Sequence, residues 1–234
     1  MALKDDLDIQ VRKIFREQWT TRKGTSVPSP EELKLGNNDA IEFDRATVLY
    51  ADLNGSTALV DAKSWRFAAE IYKAFLHCAA QLVKSEGGTI TSYDGDRIMA
   101  VFVGDSQTTP AARCGLKINH AVQMIVNPAL RAQYPDGDYT VKQVVGIDTS
   151  AIRAARTGVR GDNDIVWVGR AANYAAKLTE LNLDERTWIT QSAYNKLHDD
   201  LKYNGNPKTH MWTKFTWNAH RSLAIYGSTW RWSV

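Results

Sequence analysis

Residues 89–103 read TITSYDGDRIMAVFV, two short apolar runs on either side of Asp94-Gly95-Asp96. Asp-Gly between such runs signals a tight hairpin, so the segment predicts two antiparallel strands. Upstream, ATVLYADL (46–53) is a mostly apolar run suited to a buried strand. Asn54-Gly55-Ser56-Thr57 ends that run and offers capping side chains to a following helix, expected over about 63–85 and broken by Gly87-Gly88. Downstream, a helix over about 109–126 leads to a buried strand at VKQVVGIDTS (141–150) and a turn or arm at TGVRGDND (157–164). A strand at IVWVG (165–169) runs into helix RAANYAAKLTEL (170–181). WITQ (188–191), a short helix at SAYNKL and two aromatic-rich segments complete the chain. Strands and helices alternate, but the hairpin breaks the pattern. That combination predicts an α/β chain of α+β sandwich type with a mixed sheet, not a doubly wound parallel sheet.

Ahead of this, residues 4–22 hold Leu7, Val11, Ile14, Phe15 and Trp19 close to helical spacing, and GTSVPSPEELKLGNN reads as a connector. Residues 1–40 are therefore expected to form an N-terminal helix and linker, and 41–234 the main domain. Of the 234 residues 44% are hydrophobic, enough for a sizeable core. No stretch approaches the ~18 consecutive apolar residues of a membrane span. The N-terminus also lacks the apolar core of a secretory signal, so a cytoplasmic protein without a membrane partner is expected. The net charge of +3 is small and does not argue for a nucleic-acid binder, which usually carries a concentrated basic face, so no nucleic-acid partner is expected. Cys78 and Cys114 have no second ligand at metal spacing and read as small buried residues. Trp212, Trp217, Trp230 and Trp232 crowd the end of the chain and read as core or dimer surface.

Asp52 ends the first buried strand, where a charge is costly unless compensated. Asp96 sits at the edge of the hairpin. If the two strands are neighbours, both carboxylates can face one site and supply hard oxygen ligands to Mg²⁺ or Mn²⁺. Phosphoryl transfer needs such a clamp, because its attacking and leaving oxygens both carry charge. The Asn54–Thr57 turn lets the backbone approach a ligand at a helix start, an anion site suited to phosphates. Asn173 and Lys177 lie four apart and share one helical face. An amide there can orient a ribose and a cation can offset phosphoryl charge. Read singly, Asp52 also fits a helix cap, Asp96 a turn residue and Lys177 a solvated charge.

Three segments in this order, TVLYADLNGSTALV, GGTITSYDGDRIMAVF and VVGIDTS…VWVGRAANYAAKL, resemble the class III nucleotidyl cyclase catalytic domain over roughly residues 45–192. The resemblance implies a ferredoxin-like fold with a mainly antiparallel sheet flanked by helices. It also implies a head-to-tail homodimer with sites at the interface and two divalent metal ions, Mn²⁺ or Mg²⁺. The family's metal-binding Asp residues match Asp52 and Asp96, and its late-helix Asn matches Asn173. The family's transition-state Arg position holds Lys177, which keeps the charge and loses the planar fork. The resemblance implies that Asp52 and Asp96 come from one protomer, and Asn173 and Lys177 from the other.

The two positions with which the family reads a purine base fall on Ser92 and Val166, which lack the usual hydrogen-bonding groups. Tyr50 precedes Asp52 by two and shares its strand face; Arg97 follows Asp96 directly. A bulky Tyr shortens a base pocket, and Arg97 offers donors to a carbonyl such as uracil O4 or O2. The pattern looks most like the pyrimidine cyclases of bacterial Pycsar anti-phage defence, with UTP favoured as the nucleoside triphosphate substrate. In such systems the cyclic product signals to a separate effector protein. Other readings are a cytidylate cyclase, a purine cyclase, an inactive cyclase-like dimerisation or binding module, and a single-strand RNA binder built on the TWRWSV tail.

Overall fold

The computed structural model describes residues 2–234. Helix α1 (Leu3–Arg16) leads to strand β1 (Thr20–Lys23), and the long strand β2 (Asp39–Leu53) precedes α2 (Ser56–Ala62) and α3 (Trp65–Ser85). The hairpin β3 (Thr89–Asp94) and β4 (Arg97–Phe102) follows. Helix α4 (Thr108–Ala121) passes through a π-helical turn, Val122–Val126, into α5 (Asn127–Gln133). Strands β5 (Gln143–Val159) and β6 (Asp162–Val168) form a second hairpin, which feeds α6 (Arg170–Leu178). Then come β7 (Thr187–Thr190), α7 (Gln191–Tyr194), the short ribbon β8 (Tyr203–Asn204) and β9 (Thr209–His210), β10 (Thr213–Trp217) and β11 (Leu223–Ser228).

The main sheet runs β10-β11-β7-β5-β2-β4-β3, with β1 added to β2 and β6 to β5. Only the β1–β2 and β5–β7 pairings are parallel. The expected mixed, mainly antiparallel sheet flanked by helices is what forms. Alternation along β2 divides the core. Leu49, Ala51 and Leu53 pack against α2, α3 and α4, while Ala46 and Val48 join Ile152, Ala171 and Ala175 beneath α6. Trp212 and Trp217 are buried, and Trp230 and Trp232 pack against the core. Cys78 and Cys114 are free thiols, the latter buried. No described helix is long and apolar enough to cross a membrane.

Three elements differ from expectation. The helix expected over 4–22 stops at Arg16, because the Asn38 side chain donates to the carbonyls of Ile14 and Glu17, 2.8 and 2.6 Å away, and Thr20–Lys23 joins the sheet. The strand expected to end at 150 continues to Val159, with Ile152, Ala154 and Ala155 buried on either side of the exposed Arg153. The helix expected over 109–126 widens into a π turn and continues to Gln133. No residue of α1 is buried, and Leu3, Leu7, Val11, Ile14 and Phe15 are all exposed.

Helix α6 lies directly on β5 at Gly146, which pairs with Tyr50. A Cβ at Gly146 would come within 2.1 Å of the Ala175 carbonyl and 2.8 Å of the Leu178 Cβ. Both contacts belong to the helix, so the helix must lift for any larger residue. Gly146→Ala is expected to lower stability by about 1–3 kcal/mol, read as a fall in the urea midpoint; an unchanged midpoint would mean α6 is not seated as described.

Candidate active site

The site is built from two strand ends that the register brings side by side. Tyr50 pairs with Met99 and Ala51 with Ile98, so β2 reaches Asp52 where β4 begins at Arg97. Asp94 pairs with Arg97, leaving Gly95-Asp96 as a two-residue turn, one residue later than the Asp-Gly signal suggests. Gly95 has φ of +60°, a left-handed value at the first turn position that glycine adopts without strain. Ser92 also pairs with Met99, so Ser92, Met99 and Tyr50 form one row across three strands. Residues in such a row point to one face of the sheet, and here it is the α6 face.

On that face Arg97 grips Asp52. Its Nε and one terminal nitrogen donate to the same oxygen, Asp52 Oδ2, at 3.0 and 2.7 Å. The Asp52 side chain is only 16% exposed. Burial raises its carboxyl above the ordinary carboxylate range; Arg97 opposes that shift and the charge of Asp96 adds to it. The Arg97 guanidinium also lies 5.9 Å from the centre of the Tyr50 ring. The Tyr50 hydroxyl donates to Met99 Sδ at 3.0 Å. Asp96 is half-buried, and its Oδ2 is a buried oxygen with no hydrogen-bond partner. An orphaned carboxylate oxygen beside a second carboxylate fits a hard divalent cation. No group of three or more His, Cys, Asp or Glu suited to a metal occurs among the described residues. Oxygens from a bound triphosphate would have to complete the coordination.

The next turn opens onto the same end of the sheet. The Asn54 amide N–H donates to the Lys142 carbonyl at 2.9 Å, fixing the chain as it leaves β2. Gly55 takes φ of +82°, and a Cβ there would meet nothing within 4 Å. Ser56 and Thr57 start α2, and no side chain caps that helix. The turn therefore presents backbone to open space.

The remaining sequence-predicted residues lie elsewhere in the chain. Asn173 and Lys177 are exposed on α6, and no described hydrogen bond or ion pair engages their side chains. Val166 is 41% exposed on β6 and pairs with Ala155. Asp52 pairs with Val144, so the two positions are separated by roughly 35 Å of strand. One chain thus gathers Tyr50, Asp52, Ser92, Asp96, Arg97 and the 54–57 turn, and does not bring Val166 to them. A cavity of about 980 Å³ opens at the β2 bulge instead, lined by Asp44, Arg45, Gly104 and Ser150 among others, away from Asp52 and Asp96.

Sequence reasoning missed the group that seats α6. Asp148 is fully buried on β5 and accepts from Arg170, the first residue of α6, at 2.9 and 3.2 Å, and from the Thr190 hydroxyl. Arg170 also donates to the Thr149 carbonyl at 2.7 Å. The signal for it is an Asp inside the apolar run VVGIDTS, which demands a counter-charge.

No family model matches the chain. The chain is 53% identical to the uridylate cyclase of Burkholderia cepacia and 49% identical to that of Xanthomonas perforans, each over all of both chains. It is 34% identical to the uridylate cyclase of Rhodovulum sp. over 99% of this chain and 98% of that one. Among solved structures it resembles the adenylyl cyclase CyaB from P. aeruginosa, with a TM-score of 0.66 and 19% identity over 81% of this chain and 95% of that one. It also resembles the guanylyl cyclase Cya2, with a TM-score of 0.68 and 17% identity over 82% and 94%.

Truncating Asp148 would leave the Thr190 hydroxyl without its acceptor and the Arg170 guanidinium with the Thr149 carbonyl alone. Asp148→Ala is expected to cost about 1.5–3 kcal/mol in denaturant unfolding, because the 40% exposed Arg170 side chain can turn to water. A loss below about 1 kcal/mol would show that the pair does not seat α6.

Proposed function

The chain belongs to the family of the uridylate cyclases, class III nucleotidyl cyclases by fold, and on that premise we propose that it converts UTP to 3′,5′-cyclic UMP and pyrophosphate. The observation that carries this reading is the sheet face on which Tyr50 and Arg97 stand beside the Asp52 carboxylate, with Asp96 in the adjoining turn close enough for its charge to act on Asp52. The ribose 3′-oxygen attacks the α-phosphorus, the bond to the β-phosphate oxygen breaks, and the hydroxyl proton passes to solvent. Asp52 and Asp96 would hold two divalent cations, Mg²⁺ or Mn²⁺, which would supply the positive charge that acidifies the hydroxyl and neutralises the triphosphate. The turn from Asn54 to Thr57 receives the terminal phosphates, on the backbone N–H groups of Gly55, Ser56 and Thr57, the Asn54 N–H being held by the Lys142 carbonyl. Asn173 orients the ribose, and Lys177 offsets the charge that grows on the phosphoryl oxygens.

Tyr50 shortens the base site, and Arg97 donates to a carbonyl of the pyrimidine. Ser92 lies in the same row and Val166 on the β6 hairpin, and neither offers a purine-reading charge. Adenine and guanine are therefore refused by space and by missing partners together.

This chemistry needs a head-to-tail homodimer in which one protomer's Asp52 and Asp96 meet Asn173 and Lys177 of the second. Two observations support it. Asn173 and Lys177 are exposed with no described side-chain partner, and α1 carries an apolar stripe with no residue of it buried. The first half of α1 holds Asp5, Asp6 and Asp8, and the second half Arg12, Lys13 and Arg16. Such a helix is charge-complementary to an antiparallel copy of itself. In the cytoplasm of an infected bacterium, the product would signal to a separate effector in anti-phage defence.

Purified protein with Mn²⁺ and each of ATP, GTP, CTP and UTP is expected to yield cyclic UMP as the dominant product by mass. Predominant cyclic AMP or GMP would overturn the base assignment. In the same assay Asp52→Ala and Asp96→Ala should each reduce turnover at least about a thousandfold with the dimer retained, and full activity in either removes the metal assignment. Tyr50→Ala is expected to narrow the preference for UTP over ATP by roughly tenfold; unchanged kinetics with all four triphosphates takes Tyr50 out of the base site.

A further inference from the structure

The ion pair between Arg97 and Asp52 conflicts with a site ready for a metal. Two N–H donors of Arg97 converge on Asp52 Oδ2, so the lone pairs of that oxygen are in use and a positive charge already sits against the carboxylate. A guanidinium and a divalent cation repel each other, and one carboxylate oxygen cannot hold both at close range. The Asp96 oxygen, in contrast, is buried and unpartnered. One carboxylate is open while the other is covered by a residue of the chain itself.

We propose that Arg97 is a latch on the metal site, held on Asp52 in the empty protein and drawn off by the carbonyl of a bound pyrimidine, so that base recognition controls metal loading. The inference rests on the reading of Asp52 and Asp96 as the metal-holding carboxylates. Arg97 is placed to serve both stations. Its guanidinium is within hydrogen-bond reach of Asp52 and 5.9 Å from the Tyr50 ring, beside which the base is seated. Nε and one terminal nitrogen are engaged by Asp52, and the other terminal nitrogen has no hydrogen bond among the described residues. Its backbone is pinned at the start of β4 by pairing with Asp94, while its side chain is 30% exposed.

The charge balance gives the latch its effect. With Arg97 in place, Asp52, Asp96 and Arg97 carry one net negative charge; with Arg97 withdrawn, the two carboxylates carry two. Withdrawal thus frees an oxygen and doubles the negative charge that attracts the cation. Adenine carries no carbonyl and leaves Arg97 where it is. Selectivity against adenine then arises at metal loading as well as in contacts with the base, and a triphosphate carrying adenine meets a site one cation short.

The test is Mn²⁺ binding to the full chain without triphosphate, read from the electron paramagnetic resonance signal of free Mn²⁺. Arg97→Ala and Arg97→Gln are both measured, with circular dichroism and sedimentation showing that fold and assembly persist. Both are expected to bind Mn²⁺ roughly tenfold tighter than the parent, and Asp52→Asn in either background to erase the gain. Millimolar uridine, which carries the base and no phosphate, should tighten Mn²⁺ binding to the parent and leave Arg97→Gln unchanged; adenosine should do neither. Equal Mn²⁺ affinity in the parent and both Arg97 variants, still lost on Asp52→Asn, would overturn the latch and leave the metal site standing. Mn²⁺ binding indifferent to Asp52→Asn and Asp96→Asn in every background would remove the metal site, and the latch with it.

Discussion

The antiparallel register of β2 against β4 is the constraint on which the site depends. It sets Tyr50 opposite Met99 and carries β2 two residues further, to Asp52 beside Arg97. A slip of one residue would send Asp52 into the apolar face formed with α3 and α4, where Ala51 and Leu53 now pack. With the register kept, two carboxylates and one guanidinium occupy the ends of neighbouring strands, and burial already raises the Asp52 carboxyl. Such a cluster needs positive charge. The chain supplies one cation in Arg97, and a triphosphate site needs more than one.

The same sheet carries the second constraint. Gly146 lets α6 rest on β5 opposite Tyr50, and Asp148 ties the first residue of α6 to the strand beneath it. Asn173 and Lys177 owe their place to these two residues rather than to the helix sequence around them. The helix has only 9 residues, too short to be stable without packing. The stability of the fold and the position of the α6 side chains are therefore coupled through one buried carboxylate with its arginine partner and one glycine.

Much of this is legible in the amino-acid sequence. The apolar run ending at Asp52 and the hairpin around Gly95 are local signals, carried by alternation and turn residues within a dozen positions. Less legible are features that depend on distant partners. Helical spacing overstates α1, because its end is set by Asn38, far along the chain. Apolar content understates β5, because Arg153 and Arg156 interrupt the run although Ile152 and Ala154 still face the core. The sequence marks Arg97 as a candidate donor to the base, but its grip on Asp52 exists only once two strands are in register. Asp148 escapes notice because its partners, Arg170 and Thr190, lie 22 and 42 residues away.

The most direct test is a crystal structure of the protein with Mn²⁺ and 3′-deoxy-UTP, which keeps the base and triphosphate and lacks the attacking hydroxyl. Anomalous Mn²⁺ density is expected against both the Asp52 and Asp96 carboxylates, with Arg97 turned from Asp52 toward the uracil. Mn²⁺ bound away from these two residues, or Arg97 still on Asp52 with the nucleotide in place, would contradict it.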